Sequence, residues 1–169
     1  MAALKRQQYT IEVYPGLFYL ANAQPVGEHD PSDLVSELDV DNAVCLFGDN
    51  GITFNSSFQS HLTEVTVEFL AAGAENHDAA DDVTAEPAVR TVTGRVVLRE
   101  GGLLFANPDQ VMPEKAVDPP YFGICHARVT RRLLRAPETY APSAAETNPV
   151  GLEEWVVAFW QAISDVDRR

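Results

Sequence analysis

The clearest pattern along the chain is the two-residue alternation of apolar and polar side chains that is typical of β-strands. HLTEVTVEFL, which begins at His61, alternates with one slip near Thr63, so its valines and phenylalanine are predicted to face a core. YTIEVYPGLFYL is rich in aromatic and β-branched residues, and Pro15-Gly16 inside it indicates an edge strand, a bulge or a bend. NAVCLF and ITFN are predicted to form a hairpin, because Asp49-Asn50-Gly51 supplies residues that accept positive φ in a tight turn.

Further strand-like segments follow in the second half of the chain. VRTVTGRVVLREGGLLFAN predicts two strands joined at Glu100-Gly101-Gly102, and YFGICHARVTRRLL predicts another. There is no alternation of strands with helices, no internal repeat and no phosphate-binding loop. The pattern therefore predicts an all-β protein, an antiparallel β-sandwich of about seven or eight strands with at most one or two short helices.

Two segments are candidates for those helices. DPSDLVSELDV has Asp30 as a candidate N-cap and Pro31 at the first helical position. NPVGLEEWVVAFWQAIS places apolar residues at helical spacing, but EEWVVAFW also has the composition of a buried strand. The residues alone leave 152–161 undecided between strand and helix.

Length and composition fit one globular domain. With 169 residues, 46% of them hydrophobic, the chain is predicted to form a single β-sandwich domain over 1–169. Its loops near 71–88 and 136–148 are expected to be flexible, because they contain few large apolar residues to offset their conformational entropy. No apolar run is long enough to span a bilayer, and the first residues do not have the pattern of a secretion signal, so we expect a cytoplasmic protein. Cys45 and Cys125 lie in apolar surroundings, and the sequence leaves open whether they are free thiols or a disulfide.

The charge is unevenly distributed along the chain. The formal net charge is −13, and fifteen acidic residues but no lysine or arginine lie between Gln7 and Val89. This composition argues against direct nucleic-acid binding, which needs clustered cations. It favours a basic protein partner, with solubility and adaptation to salt as the alternatives. The arginines of ARVTRRLLR (Arg128 to Arg135) are expected to pair with the acidic first half, the alternative being an anion site.

No arrangement of residues in the sequence predicts catalysis. ENHDAADD around His77 offers metal ligands but matches no known calcium-loop spacing, so a solvated loop is the simpler interpretation. The four histidines share no metal-ligand spacing, and no serine lies in a nucleophile elbow. A site built from Cys45 and His126 is conceivable, but no other residue supports it. We therefore predict a protein that is not an enzyme and that needs no metal or cofactor.

Three segments carry a resemblance to a known family. EVYPGLFYL resembles the opening strand of the competence-protein-J-like (nuclease-inhibitor-like) proteins, and NAVCLFGDNGITFNSSFQSHLTEVTVEFL is similar to the middle of that family. LEEWVVAFWQA resembles its closing strand, although this chain has Pro15 in the opening strand, lacks a proline after the last tryptophan and carries a longer acidic loop. The resemblance implies a β-sandwich without catalysis, and it favours a strand over 152–161. For the founding member it implies binding and inhibition of a nuclease.

Charge and resemblance lead to the same hypothesis. We predict a non-enzymatic acidic protein that binds a basic partner, a nuclease or toxin, as an inhibitor or immunity-like protein. The first candidates for contact are six acidic residues that lie close together in the sequence: Glu28, Asp30, Asp33, Glu37, Asp39 and Asp41. One alternative is a sandwich that binds a small molecule or carbohydrate through Trp155, Trp160 or Tyr121. The other alternative is a structural or assembly subunit, and the sequence does not give the oligomeric state.

Overall fold

A computed structural model describes residues 3–24, 43–73, 88–142 and 148–162 of the chain. Within these ranges the regular elements are ten β-strands and one short turn of 3₁₀ helix, Pro137–Thr139. The strands are β1 (Lys5–Val13), β2 (Leu17–Asn22), β3 (Cys45–Gly48), β4 (Gly51–Asn55), β5 (His61–Phe69), β6 (Val89–Leu98), β7 (Leu103–Asn107), β8 (Gln110–Val117), β9 (Gly123–Leu133) and β10 (Glu153–Trp160).

The strands form two five-stranded sheets. Sheet A has the order β1-β5-β10-β9-β6, and sheet B has the order β3-β4-β2-β7-β8. Seven of the eight pairings among these strands are antiparallel, and the pairing of β5 with β10 is parallel. The all-β architecture is as predicted, but the strands number ten rather than seven or eight.

One added strand comes from the segment between Tyr9 and Leu20. The chain forms β1 at the edge of sheet A, turns at Pro15-Gly16 and continues as β2 in the middle of sheet B. The Tyr14–Pro15 peptide bond is cis, and Gly16 has φ of 74°, which L-residues with a side chain rarely adopt. The predicted bend is therefore the point where the chain crosses from one sheet to the other.

The other added strand is β8, which the sequence pattern did not reveal. Pro113, Glu114 and Lys115 interrupt its alternation, because the register between β7 and β8 shifts at Leu104/Phe105. Proline lacks the N–H that a central strand needs, but an edge strand with a bulge accommodates it. β8 lies at the edge of sheet B, where this interruption costs little pairing.

The two sheets meet through a cluster of aromatic side chains. Phe18 and Phe54 of sheet B stack with ring centroids 4.4 Å apart, and the Trp155 ring meets both edge-on at 5.5 Å. All three side chains are buried. Trp155 lies on β10, the central strand of sheet A, so residues 153–160 form a strand and not a helix. A central strand buried over most of its length reads as a nearly continuous apolar run, and this explains its ambiguity in the sequence.

The hairpin of β3 and β4 is present where it was predicted, but its turn differs from the expectation. Within the part of the chain that the structure describes, no residue other than glycine has a positive φ, so Asn50 does not adopt the conformation expected of it. The candidate helix at Asp30 and most of the loop 71–88 lie outside the described residues. No helix in the described ranges is long and apolar enough to cross a membrane.

Gly94 of β6 is the place where the two sheets approach most closely at one edge of the sandwich. A Cβ atom added to Gly94 would lie 2.2 Å from Cδ2 of Phe47 on β3. Gly94 does not have a positive φ, so the requirement for glycine is one of space and not of backbone conformation. The ring of Phe47 closes the sandwich between β3 and β6.

We predict that Gly94→Ala destabilises the fold by about 2 kcal/mol, because the added methyl group displaces the Phe47 ring from a packed position. The double variant Gly94→Ala/Phe47→Ala is expected to be more stable than the sum of the two single effects by at least about 1 kcal/mol. Urea unfolding of the wild type, both single variants and the double variant measures this coupling. Strict additivity of the two effects would contradict the proposed contact.

Candidate functional site

The six acidic residues predicted to contact a partner lie in 25–42, outside the described residues, so their role stays a prediction. The structure does fix where this segment joins the sandwich. On one side, the Ala23 N–H donates to the Gly102 carbonyl at 3.0 Å; on the other, the Asn55 side-chain amide donates to the Ala43 carbonyl at 3.0 Å. Since Asn55 pairs with Leu17 at the start of β2, the segment connects opposite ends of sheet B.

The described part of the chain is almost electrically balanced. It contains eleven Asp and Glu residues and ten Lys and Arg residues. The segments 25–42 and 74–87 together hold eleven acidic residues and no lysine or arginine. Nearly all of the net charge of −13 is therefore carried by sequence outside the described sandwich.

The arginines of β9 do not neutralise the acidic first half of the chain within the described ranges. Their side chains alternate between the two faces of sheet A, with Arg131 facing inward and Arg128 and Arg132 facing outward. Among them only Arg132 forms an ion pair, with Glu154 at 3.4 Å, and both side chains are exposed. The expectation of extensive pairing is therefore not met in the part of the chain that the structure describes.

The most unusual chemistry of the sandwich is a carboxylate sealed inside it. The side chain of Glu153 has no exposure to solvent. Its Oε1 atom accepts hydrogen bonds from His61 Nε2 at 3.2 Å and from the Trp155 indole N–H at 3.0 Å. The Ser57 backbone N–H lies 3.5 Å from Oε2, and the Thr63 hydroxyl donates to the Glu153 carbonyl at 2.9 Å. A buried charge costs several kcal/mol unless it is paired in this way.

Arg131 completes the surroundings of this carboxylate. Its guanidinium carbon lies 5.9 Å from the centroid of the Trp155 ring, and Nη1 donates to the Asn55 carbonyl at 3.4 Å. Burial lowers the pKa of Arg131, the charge of Glu153 raises it, and Arg90 on the neighbouring strand lowers it. Arg131 therefore lies between a buried anion and a second cation.

The buried cluster is suited to holding strands together rather than to chemistry. A carboxylate only accepts hydrogen bonds, so His61 Nε2 carries a proton, while Nδ1 has no hydrogen-bond partner in the described ranges. His61 is completely buried, and the Phe58 ring packs against it edge-on. A substrate cannot reach this pair without opening the sandwich. The contact fixes β5 to β10 at one end of their parallel pairing.

The sequence contained a signal for this cluster that its interpretation missed. His61 and Thr63 are in phase with Val65 and Val67, so the apparent slip in the alternation is two polar residues that face the core. In the same way Glu153 is in phase with Trp155. A polar residue at a core position implies a buried partner, but sequence spacing did not identify which strand supplies it.

The aromatic residues considered for ligand binding are not available at the surface. Trp155 is 1% exposed and Trp160 is 6% exposed. The Tyr121 hydroxyl donates to the carbonyls of Phe159 at 2.7 Å and of Leu70 at 3.2 Å. A carbohydrate platform needs an exposed ring face, so the structure does not favour that alternative.

Neither the cysteines nor the histidines form a reactive group in the described ranges. Cys45 and Cys125 are free, buried thiols. Cys45 faces the core from sheet B, whereas His126 lies on the outer face of sheet A, stacked on Trp160 with centroids 5.7 Å apart. A site that combines Cys45 with His126 is therefore excluded. Across the same ranges no group of three or more His, Cys, Asp or Glu side chains is arranged to hold a metal ion.

Comparison with known proteins shows what the fold is similar to. No family model and no curated protein sequence matches the chain. Two solved structures match it, both with low sequence identity. "Crocagin biosynthetic gene J" is 13% identical with a TM-score of 0.54, and the match covers 95% of this chain and 99% of that chain. ComJ from Bacillus subtilis, an inhibitor of the DNA-degrading activity of NucA, is 11% identical with a TM-score of 0.50, covering 95% and 97% of the two chains.

These matches confirm the resemblance to the competence-protein-J-like proteins at the level of the fold. They extend over nearly the whole of each chain, so the similarity is one of complete architecture and not of a shared fragment. At this sequence identity the similarity carries the fold alone.

We predict that Glu153→Gln destabilises the protein by about 3 kcal/mol, because it replaces a buried ion with an amide that fits the two donors poorly. Glu154→Gln at the adjacent exposed position is the matched control and is expected to change stability by less than about 0.5 kcal/mol. Thermal and urea unfolding measure both variants. Equal effects at the two positions would show that the buried cluster does not stabilise the sandwich.

We predict that both thiols react slowly in the folded protein. Burial raises the pKa of Cys45 to about 12 and that of Cys125 to about 11. At pH 8 the reactive thiolate is therefore scarce, whereas in denaturant the pKa returns towards about 8.5. Alkylation with iodoacetamide, followed by mass spectrometry, is expected to modify neither cysteine before unfolding and both cysteines after it. Rapid modification of either native thiol at pH 8 would contradict the prediction.

Proposed function

We propose that this chain is a non-enzymatic binding protein that inhibits a basic partner, a DNA-degrading nuclease being the first candidate. The observation that carries the proposal is the concentration of eleven uncompensated acidic residues in 25–42 and 74–87, beside a sandwich with nearly balanced charge. A charge confined to particular segments produces a directed field, whereas a charge needed only for solubility would be spread over the surface. The similarity in fold to ComJ, an inhibitor of a nuclease, supports the same interpretation.

The proposed mechanism is occupation of a phosphate-binding groove. A nuclease that degrades DNA presents cations to the phosphates, and a row of carboxylates competes for the same cations. Opposite fields also accelerate encounter, so the acidic residues are expected to act mainly on the association rate. The candidate contacts are those predicted from the sequence: Glu28, Asp30, Asp33, Glu37, Asp39 and Asp41.

The attachment points of the two acidic segments support their action on one partner. The segment 25–42 ends beside Asn55, whose carbonyl accepts a hydrogen bond from Arg131. The segment 74–87 ends at Ala88, whose carbonyl accepts a hydrogen bond from the Leu133 N–H at 2.8 Å. Leu133 lies two residues from Arg131 on β9, so both acidic segments rejoin the sandwich at the same end.

The test measures inhibition of a panel of purified DNA-degrading nucleases with basic grooves, including any encoded beside this chain. The first variant replaces the six acidic residues of 25–42 by their amides, and the second replaces the five of 74–87. The matched control neutralises six exposed acidic residues of the described sandwich: Asp49, Glu100, Asp109, Glu114, Asp118 and Glu138.

We expect the first variant to lower the association rate with the inhibited nuclease by roughly tenfold or more at low salt, with a smaller change in the dissociation rate. The control changes the net charge equally and is expected to lower the association rate by less than about threefold. Stopped-flow or biosensor kinetics at several salt concentrations measure both rates. Equal effects of the first variant and the control would contradict a directed contact, and no inhibition of any nuclease would contradict the proposal itself.

A further inference from the structure

Strand β6 forms one edge of sheet A, and its pairing is regular along its whole length. Ten consecutive residues pair with β9 in one unbroken register, from Val89 opposite Arg132 to Leu98 opposite Gly123. In a regular antiparallel pair, the backbone N–H and C=O groups of alternate residues point towards the partner strand and away from it. The register therefore decides which groups of β6 face the open side of the sheet.

Hydrogen bonds at the two ends of β6 identify the residues that face outward. The Leu133 N–H of β9 donates to the Ala88 carbonyl, so even-numbered residues point towards β9. Odd-numbered residues point away: the Val97 N–H donates to the Asp49 carbonyl at 3.2 Å, and the Asn22 side-chain amide donates to the Val97 carbonyl at 2.7 Å. The Asn22 side chain also accepts from the Arg99 N–H at 3.0 Å. The C-terminal end of this edge is thus closed by Asn22 and Asp49.

The remaining outward groups of β6 have no such cover in the described ranges. They are the N–H and C=O groups of Val89, Thr91, Thr93 and Arg95, which we call the open edge. The threonines and Arg95 are exposed, and no proline or bulge interrupts the strand. Unpaired strand edges of this kind are templates for the addition of another strand.

The other edges of the two sheets are protected, as far as the structure describes them. β8 contains Pro113 and a register shift, and β3 is only four residues long. β1 is covered from sheet B, because the Asn107 amide donates to the Glu12 carbonyl and the Tyr9 hydroxyl donates to the Ala116 carbonyl. These are the usual ways in which proteins block an edge, and β6 uses them only at one end.

We propose that the open edge binds an extended, acidic segment of a partner protein as an eleventh strand next to β6. The charge of the edge selects that occupant. Arg90 and Arg95 are exposed on opposite faces of β6, and neither forms an ion pair in the described ranges. Arg128 lies beside Thr93 on β9 and is likewise without an ion pair there. Glutamate or aspartate at alternate positions of an added strand would meet these cations.

A second copy of this chain fits the open edge poorly. Pairing of two β6 strands would bring Arg90 and Arg95 of one copy towards the same residues of the other, and like charges across a strand pair are destabilising. The inference is separate from the proposed inhibitor function, because it uses a basic edge of the described sandwich and not the acidic segments.

The test uses a synthetic eight-residue peptide that alternates glutamate with valine and threonine, and a lysine version as the control. Amide hydrogen exchange of the full chain is followed by NMR. The acidic peptide is expected to slow exchange at Val89, Thr91, Thr93 and Arg95 by roughly tenfold or more, since each N–H gains a hydrogen bond. The even-numbered residues of β6 already bond to β9 and should change little. The lysine peptide is expected to protect none of them.

Two substitutions at one position separate the backbone from the side chain. Thr93→Pro removes an N–H that points away from β9, which an edge strand tolerates. Thr93→Ala keeps that N–H and is expected to bind the acidic peptide roughly tenfold more tightly than Thr93→Pro. In a third variant, Arg90→Glu/Arg95→Glu, both changes are at exposed positions, and the preference is expected to shift to the lysine peptide.

Several results would overturn the inference. Equal binding by Thr93→Pro and Thr93→Ala would show that the backbone edge is not used. Slow exchange of the odd-numbered amides in the free monomer would show that another segment of the chain already occupies the edge. Sedimentation that reveals a dimer abolished by Thr93→Pro would make a second copy the occupant. Loss of nuclease inhibition in the acidic-segment variants, with peptide binding intact, would leave the edge proposal standing on its own.

Discussion

The sandwich is organised around a negative charge that has no access to water. Glu153 lies on the central strand of sheet A, and its carboxylate is stabilised only if His61 and Trp155 hold their positions. Trp155 in turn fills the space between Phe18 and Phe54 of the opposite sheet. The hydrogen bonds of the carboxylate and the aromatic packing between the sheets therefore share one side chain. Displacing that ring would expose apolar surface and leave a buried ion without a donor, so the two halves of the core stabilise each other.

The sequence predicted the architecture where a strand has one buried and one exposed face. β5 and the hairpin of β3 and β4 follow this rule, and both were recognised. β10 was ambiguous, because its position between two other strands removes the alternation that distinguishes a strand from a helix. β8 was missed, because residues from Pro113 to Lys115 bulge away from the ladder. His61 was read as one of four unrelated histidines, since its partner lies 92 residues away along the chain and only the parallel pairing of β5 with β10 brings them together.

The described sandwich and the segments attached to it differ in electrostatic character. The sheets carry nearly equal numbers of acidic and basic residues, and their unpaired arginines are concentrated on β6 and β9. The acidic residues that set the net charge belong to 25–42 and 74–87. A scaffold with separated charges of opposite sign attracts different partners from different directions. Binding through the segments and binding through the edge of β6 are consequently compatible in one molecule.

The order of strands in sheet A has a consequence for biosynthesis. β10 is the last of the ten strands along the chain, yet it lies between β5 and β9. While a ribosome is still translating the preceding residues, the nascent chain has an incomplete sheet with two strand edges exposed where the central strand belongs. Folding therefore waits for residues 153–160 to leave the exit tunnel. During that interval the exposed edges are open to incorrect pairing, a vulnerability typical of sheets assembled from contacts distant in sequence.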